Sequence, residues 1–267
     1  MTRIVLIVCL AALVPYGSTA QLAKKRSDLY KFGDGVIYSY SRPLHWKGND
    51  LAKFAGLVGV TAAASLLDRP VKRLFENRND NILNAIERTG YHFGKPYSAF
   101  IFTGGFYLFG LVTDNRWSKD TGILLGVTLL TSGVLQTLAK DAFGRARPDT
   151  GFDPYYFKPF SQDAGFHSFP SGHFAVAFGI AHIVANRTDS VPLKIVAYTL
   201  AGTTFVSRLY HDAHWFSDMI FGRALAYFFG NTAIKRFAIW EGSREEKKVS
   251  WNLLPHPHGI SITGRFK

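Results

Sequence analysis

Six apolar stretches, each of helical length and each bounded by Pro, Gly, Asn, Asp or charged residues, constrain this chain more than any other feature. They run from Leu51 to Leu67, Tyr97 to Thr113, Thr121 to Ala139, His173 to Asn186, Leu193 to Ser207 and Phe216 to Phe237. The pattern predicts an all-α fold: a helical bundle of about six main helices, membrane-embedded or membrane-associated. Asp80 to Arg88 reads as one further short amphipathic helix, and residues 21–50, polar, basic and rich in Gly, Tyr and Ser, read as an irregular N-terminal arm. After Phe237 the charge run Glu241 to Lys248 leads into a tail whose Pro255, Pro257 and Gly259 suggest a loop, with Ile260 to Phe266 as a terminal strand. No Pro-rich or Gly/Ser-rich linker separates two cores. The expected division is therefore a leader over 1–20, the arm over 21–50, a helical core over 51–240 and a tail over 241–267.

The leader carries Arg3, the uninterrupted apolar run Ile4 to Val14 and the small residues Ser18, Thr19 and Ala20, which together read as a secretory signal cut after Ala20. Its apolar run is shorter than the roughly 20 residues that a membrane span needs. Cys9, the single cysteine, falls inside it, so the mature chain would have neither a disulfide nor a thiol nucleophile. Of the later stretches, Thr121 to Ala139 holds no charge over nineteen residues, whereas others are short or contain His182 or Arg223. If all six spanned a membrane behind a cleaved signal, the ends of the third and fifth would face the cytoplasm. A cell-envelope location with those ends facing the periplasm therefore implies that the first helices do not all span, that the protein is a soluble or surface-attached periplasmic bundle, or that the leader is not a cleaved signal.

The formal charge of +12 suits an anionic ligand or a membrane surface. Nucleic acid is not expected as a partner, because the basic residues are scattered and no zinc-ligand spacing, basic helix or aromatic RNA-binding signature is present.

Three polar clusters sit where apolar helices begin or end. Lys140 and Arg147, seven residues apart, follow the third stretch, and Pro148 stops it. Pro170-Ser171-Gly172-His173 opens the fourth: Ser171 reads as an N-cap, the amides of Gly172 and His173 form a positive helix start, and Gly172 lets an anion approach the backbone closely. Ser207-Arg208 and His214 to Asp218 follow the fifth. If the segment from His214 is helical, Asp218 lies one turn away, where its carboxylate can hold one imidazole nitrogen and leave the other free to attack. Arg208 adds a planar cation suited to phosphate oxygens. Each cluster alone is also compatible with solvated charges or ordinary helix capping.

In order, these residues fill all eleven specified positions of K-x6-R-P, P-S-G-H and S-R-x5-H-x3-D. The sequence therefore resembles the type-2 phosphatidic acid phosphatase superfamily, which includes lipid phosphatases, bacterial acid phosphatases and vanadium haloperoxidases. The motifs lie between Lys140 and Asp218, and the helical pattern extends the fit from about Leu51 to Phe237. The resemblance implies that Lys140, Arg147 and Arg208 bind phosphate, with Ser171 and Gly172 hydrogen-bonding its oxygens. It implies that His214 attacks phosphorus, that Asp218 orients His214, and that His173 protonates the leaving alcohol and then activates water. No metal or cofactor is implied, since three cations and a helix N-terminus suit a highly anionic transition state.

The reading is thus a metal-independent phosphatase acting through a phosphohistidine on a monoester or pyrophosphate of an envelope lipid. A soluble periplasmic acid phosphatase acting on small esters, a vanadate-dependent haloperoxidase and a non-catalytic anionic-lipid binder are the alternatives. His211-Asp212 stands where members of the family often have smaller residues, and a metal site of His211, His214 and Asp218 is disfavoured by the surrounding cations. His45, His92, His167, His182, His256 and His258 are read as structural or solvated, and the aromatic-rich Phe152 to Phe169 as a lid or substrate rim.

Overall fold

The computed structural model describes residues 27–245, 249–256 and 259–266; the expected leader lies outside the described residues. Nine α-helices occur among them: α1 (Asp28–Ser41), α2 (Gly48–Ser65), α3 (Asp68–Phe75), α4 (Asn81–Phe93), α5 (Pro96–Val112), α6 (Arg116–Phe143), α7 (Gly172–Asn186), α8 (Val191–Tyr210) and α9 (Phe216–Glu245). The six predicted main helices correspond to α2 and α5–α9, and the short amphipathic one to α4. Beyond them, β1 (Val249–His256) pairs antiparallel with β2 (Gly259–Phe266), so the expected terminal strand has a partner.

Helix ends follow local chemistry. Asp80 caps α4 by accepting from the amides of Ile82 and Leu83, Asn115 caps α6 through Ser118, and Ser190 caps α8 through Leu193. Gly144 ends α6 in the left-handed conformation, φ 58°, with its amide on the Lys140 carbonyl. A Cβ there would lie 1.8 Å from the Lys158 carbonyl oxygen, so both conformation and space select glycine.

Helix α7 is the centre of the bundle. Eleven of its fifteen residues are buried, and it packs against α6, α8 and α9. The N-terminal half of α6 is buried between α5, α7 and α9, while α4 lies along α8.

Two helices depart from the expectation. The segment read as an irregular arm contains α1, which starts at the N-cap Ser27 and ends where Pro43 enters the following 3-10 turn. Its stability comes from distant partners: Lys31 bonds Asp120 at 2.7 Å, Asp34 takes both Nε and Nη2 of Arg236 at 2.7 and 2.9 Å, and Phe32 and Val36 pack on the core. Local polarity and two internal glycines concealed it. The short helix α3 was likewise not anticipated; it follows α2 after a bend of 49°.

Among the described residues one helix, α6, is long and apolar enough by itself to cross a membrane, with half of that window buried inside the protein; α2 and α3 satisfy the criterion only together. α5 and α7 are apolar but shorter.

Candidate active site

All three sequence clusters meet at one end of the bundle, where α6 and α8 finish and α7 and α9 begin. Lys140 lies in the last turn of α6 and donates from Nζ to the His167 carbonyl at 2.6 Å. After the Gly144 reversal, the Arg147 amide bonds the Gly165 carbonyl at 2.8 Å. The Arg147 Nε is buried without a hydrogen-bond partner, and no carboxylate approaches its guanidinium within 4.0 Å among the described residues. A buried N–H without a partner is costly unless an acceptor completes it.

Ser171 is fully buried and caps α7 by accepting from the Phe174 amide at 3.4 Å, while its own amide bonds the Asp218 carbonyl at 3.1 Å. Gly172 and His173 are the first two helical residues, and their amides precede any carbonyl that α7 can offer them. A Cβ at Gly172 would meet the Gln136 carboxamide oxygen at 2.6 Å, a contact that the flexible end of that side chain can relieve.

The His173 ring stacks on Tyr91, with centroids 5.8 Å apart, and faces the His214 ring at 6.4 Å. Arg208, 2% exposed, donates to Glu87 Oε1 at 2.7 Å and lies over the Tyr91 ring at 4.6 Å. Tyr91 thus separates one histidine from one cation and fixes both. Glu87 and Tyr91 on α4 carried no motif signal; their parts emerge only when α4 lies along α8.

The condition under which Asp218 would lie one helical turn from His214 is not met. α8 ends at Tyr210, Asp212 takes a left-handed φ of 50°, and α9 begins only at Phe216. His214 therefore occupies a loop. Its Nδ1 lies 2.8 Å from the Ser168 carbonyl oxygen, and since a carbonyl only accepts, Nδ1 carries the proton and Nε2 is the free nitrogen. Asp218 Oδ2 stands farther off, at 3.7 Å from Nδ1, and accepts from the Trp215 amide at 2.8 Å and the Ser168 hydroxyl at 2.5 Å. Ser168 thus links carboxylate and imidazole. The same loop turns His211 away from His214 toward Glu87, 4.0 Å from its Oε1, which removes the helical face on which a metal site with His214 and Asp218 was considered.

Behind Asp218 lies a group that the motifs left unspecified. Arg145 donates from Nη1 to Asp218 Oδ1 at 2.5 Å and from Nη2 to Asp68 Oδ2 at 2.6 Å, and Ser217 bonds both Arg145 and Asp68. Arg145 falls between Lys140 and Arg147 in the first motif, and Asp68 lies far upstream on α3.

Electrostatics divide the two histidines from the rest of the site. Burial, opposed by Asp218, lowers the His214 pKa to about 4, so the imidazole is neutral near pH 7. Burial, then the nearby His214, Arg208, Lys140 and Arg147, lowers that of His173 to about 3. A doubly charged anion amid those cations offsets their effect on His173 and returns it toward the protonated form.

Comparison with known proteins gives a consistent result. The model of the PAP2 superfamily matches residues 121–240. The chain is 39% identical over 112 residues to a lipid A 1-phosphatase of Rhizobium etli, covering 40% of this chain and 47% of that relative. It is 32% identical over 108 residues to a lipid A 1-phosphatase of Porphyromonas gingivalis, covering 40% of this chain and 21% of that one. The chain thus spans about half the length, or less, of the curated relatives it matches. The crystal structure of Aquifex aeolicus LpxE superposes with a TM-score of 0.50 at 22% identity, covering 63% of this chain and 95% of that one, a likeness of fold.

Proposed function

Because residues 121–240 belong to the PAP2 superfamily, we propose that this chain is a metal-independent lipid phosphatase of the cell envelope that works through a phosphohistidine on His214. The observation that carries the reading is the fixed tautomer of His214, whose Nδ1 hydrogen is held by Ser168 while Nε2 remains available beside His173 and three cations. Lys140, Arg147 and Arg208, with Ser171 and the α7 amides, hold the phosphoryl oxygens. The His214 Nε2 lone pair forms a bond to phosphorus as the bond to the leaving oxygen breaks, and His173 gives that oxygen its proton. Water then enters: His173 takes its proton, the new oxygen–phosphorus bond forms, and the nitrogen–phosphorus bond breaks to restore neutral His214. Cations and oriented amides serve the anionic transition state electrostatically throughout.

A lipid substrate is favoured by the apolar surface along the helical bundle. Phe100 and Ile101 on α5, Val60 on α2 and Val191 and Ile195 on α8 are more than half exposed, an apolar extent that suits acyl chains better than water. The exposed aromatic loop carrying Phe152, Tyr155 and Phe160 adds an apolar rim. Among lipids, the identity to lipid A 1-phosphatases makes a glycolipid 1-phosphate the first substrate to test. The location assigned is the envelope, with the phosphate site on the periplasmic side.

The test is phosphate release from a lipid A-type 1-phosphate and from a water-soluble phosphomonoester, each in excess chelator and with or without vanadate. Turnover of the lipid that survives the chelator and is blocked by vanadate, a mimic of the pentacoordinate state, is expected. Loss of activity in chelator with recovery on adding zinc or magnesium overturns the metal-independent mechanism. Preference for the soluble ester overturns the lipid assignment.

A further inference from the structure

Arg145 and Asp68 lie outside the eleven motif positions, yet every polar atom of their side chains is engaged. Asp68, Arg145 and Asp218 form an alternating negative, positive, negative row in which no side chain is more than 4% exposed. The Arg145 Nε donates to the Pro154 carbonyl at 2.8 Å, Nη1 to Ser217 and Asp218, and Nη2 to Asp68. Asp68 in turn accepts from the Ser217 amide and hydroxyl, both at 2.8 Å. The row therefore ties α3 to the first turn of α9 and to the loop after α6. Ordered buried networks of this kind leave their members a single arrangement.

What that arrangement fixes is the carboxylate nearest the nucleophile. Asp218 spends Oδ1 on Arg145 and Oδ2 on Trp215 and Ser168. Ser168 presents its carbonyl to His214 while its hydroxyl is held by Asp218. A shift of Asp218 thus moves Ser168 and, with it, the group that fixes the imidazole tautomer. Asp68 and His214 also line one narrow crevice between α3 and the loop before α9.

We propose that Asp68 and Arg145 are positioning residues of the phosphatase reaction: by sharing the Arg145 guanidinium between two carboxylates, they set the place and effective charge of Asp218, and so the orientation and basicity of His214. This rests on the phosphohistidine reading above. Neither residue meets substrate; both act through Asp218 and Ser168.

The charge argument has a definite sign. His214 is faced by Asp218 from α9, Lys140 from α6, Arg147 beyond α6, His173 from α7, Asp68 and Lys72 from α3, and Asp212 from its own loop. Burial raises the Asp68 pKa against the Ser217 amide and Arg145, which lower it, so at pH values where Asp68 is ionised Asp68→Asn removes one negative charge, keeps the side-chain shape and leaves Arg145 wholly to Asp218. The surroundings of His214 become more positive, so protonating it becomes harder and the acid limb of its reactivity moves to lower pH.

The experiment measures the single-turnover rate of phosphoenzyme formation from an aryl phosphate, a leaving group that needs little protonation, across the acid pH range for the full chain and its Asp68→Asn variant. The expected result is a midpoint lowered by about half a pH unit or more in the variant, with the KM for the ester within about threefold of the parent, because the phosphate-binding cations are untouched. An unchanged midpoint in a folded variant, with only the melting temperature reduced, overturns the proposal and leaves the row a structural one. Should Asp68→Asn not fold, Arg145→Lys carries the test: it keeps the charge but cannot serve both carboxylates and Pro154. A fall of about tenfold or more in kcat at constant KM is expected, and unchanged kcat overturns the proposal. Absence of any phosphoenzyme in the parent chain overturns the underlying mechanism as well, which separates the two failures.

Discussion

Lys140 is held by a backbone carbonyl and Arg208 by Glu87, while the buried Arg147 Nε has no partner among the described residues. Under the proposed function Arg147 is therefore the cation most available to an incoming phosphate, and its rigid fork suits paired oxygens. Arg147→Gln should lower kcat/KM by roughly 10²–10³ with little change in melting temperature, as steady-state kinetics beside thermal unfolding will report. His173 gives a pH prediction at the same scale. Its pKa is depressed to about 3 in the free site, by burial and by its cationic neighbours. A bound dianion raises it, so binding should tighten as pH falls through the raised value, gain most of its increase before pH reaches the free-site value, and show no such gain above the raised value. Sulfate, whose own charge does not change over this range, is the clean probe. Its affinity, measured calorimetrically between neutral and mildly acidic pH, should rise as pH falls, and His173→Ala should flatten the dependence. Equal slopes in both proteins would assign the effect to another group.

Among the elements, the turn after α6 has the narrowest requirements. Gly144→Ala places a Cβ in the left-handed region and against the Lys158 carbonyl, so it should cost about 1–3 kcal/mol or more in chemical denaturation and slacken the segment carrying Arg145 and Arg147. Helices were legible in the sequence where their apolar length and caps agreed, as at α6, α7 and α8. α1 was not, because what holds it is Asp120 and Arg236, 89 and 202 residues from their partners. The site divides in the same way. Its two histidines and the three cations proposed to hold phosphate sit at or near helix ends in a recognisable order, whereas Ser168, Glu87 and Asp68 act through partners 46 to 149 residues distant. The structure brings His214 and Asp218 near each other, as the conditional helical reading did, but with His214 in a loop rather than on a helix. Asp218 in fact caps α9 through Trp215 and reaches His214 by way of Ser168.

For the molecule as a whole, the proposed function joins two requirements of an amphiphilic phosphate ester: headgroup chemistry among the cations at one end of the bundle and apolar surface for the tail. The net charge of +12 favours approach to an anionic surface without specifying its chemistry. The account turns on the division of labour between two histidines whose rings lie 6.4 Å apart. The most direct test is acid–base analysis of protein quenched during turnover of a radiolabelled aryl phosphate by the parent, His173→Ala and His214→Ala forms. With a good leaving group, His173→Ala should still phosphorylate His214 but lack the base that activates water, and so accumulate an acid-labile, base-stable phosphoenzyme. His214→Ala should form none. A His173→Ala protein that accumulates no label, together with a His214→Ala protein that releases phosphate at near the parental rate, would contradict the account.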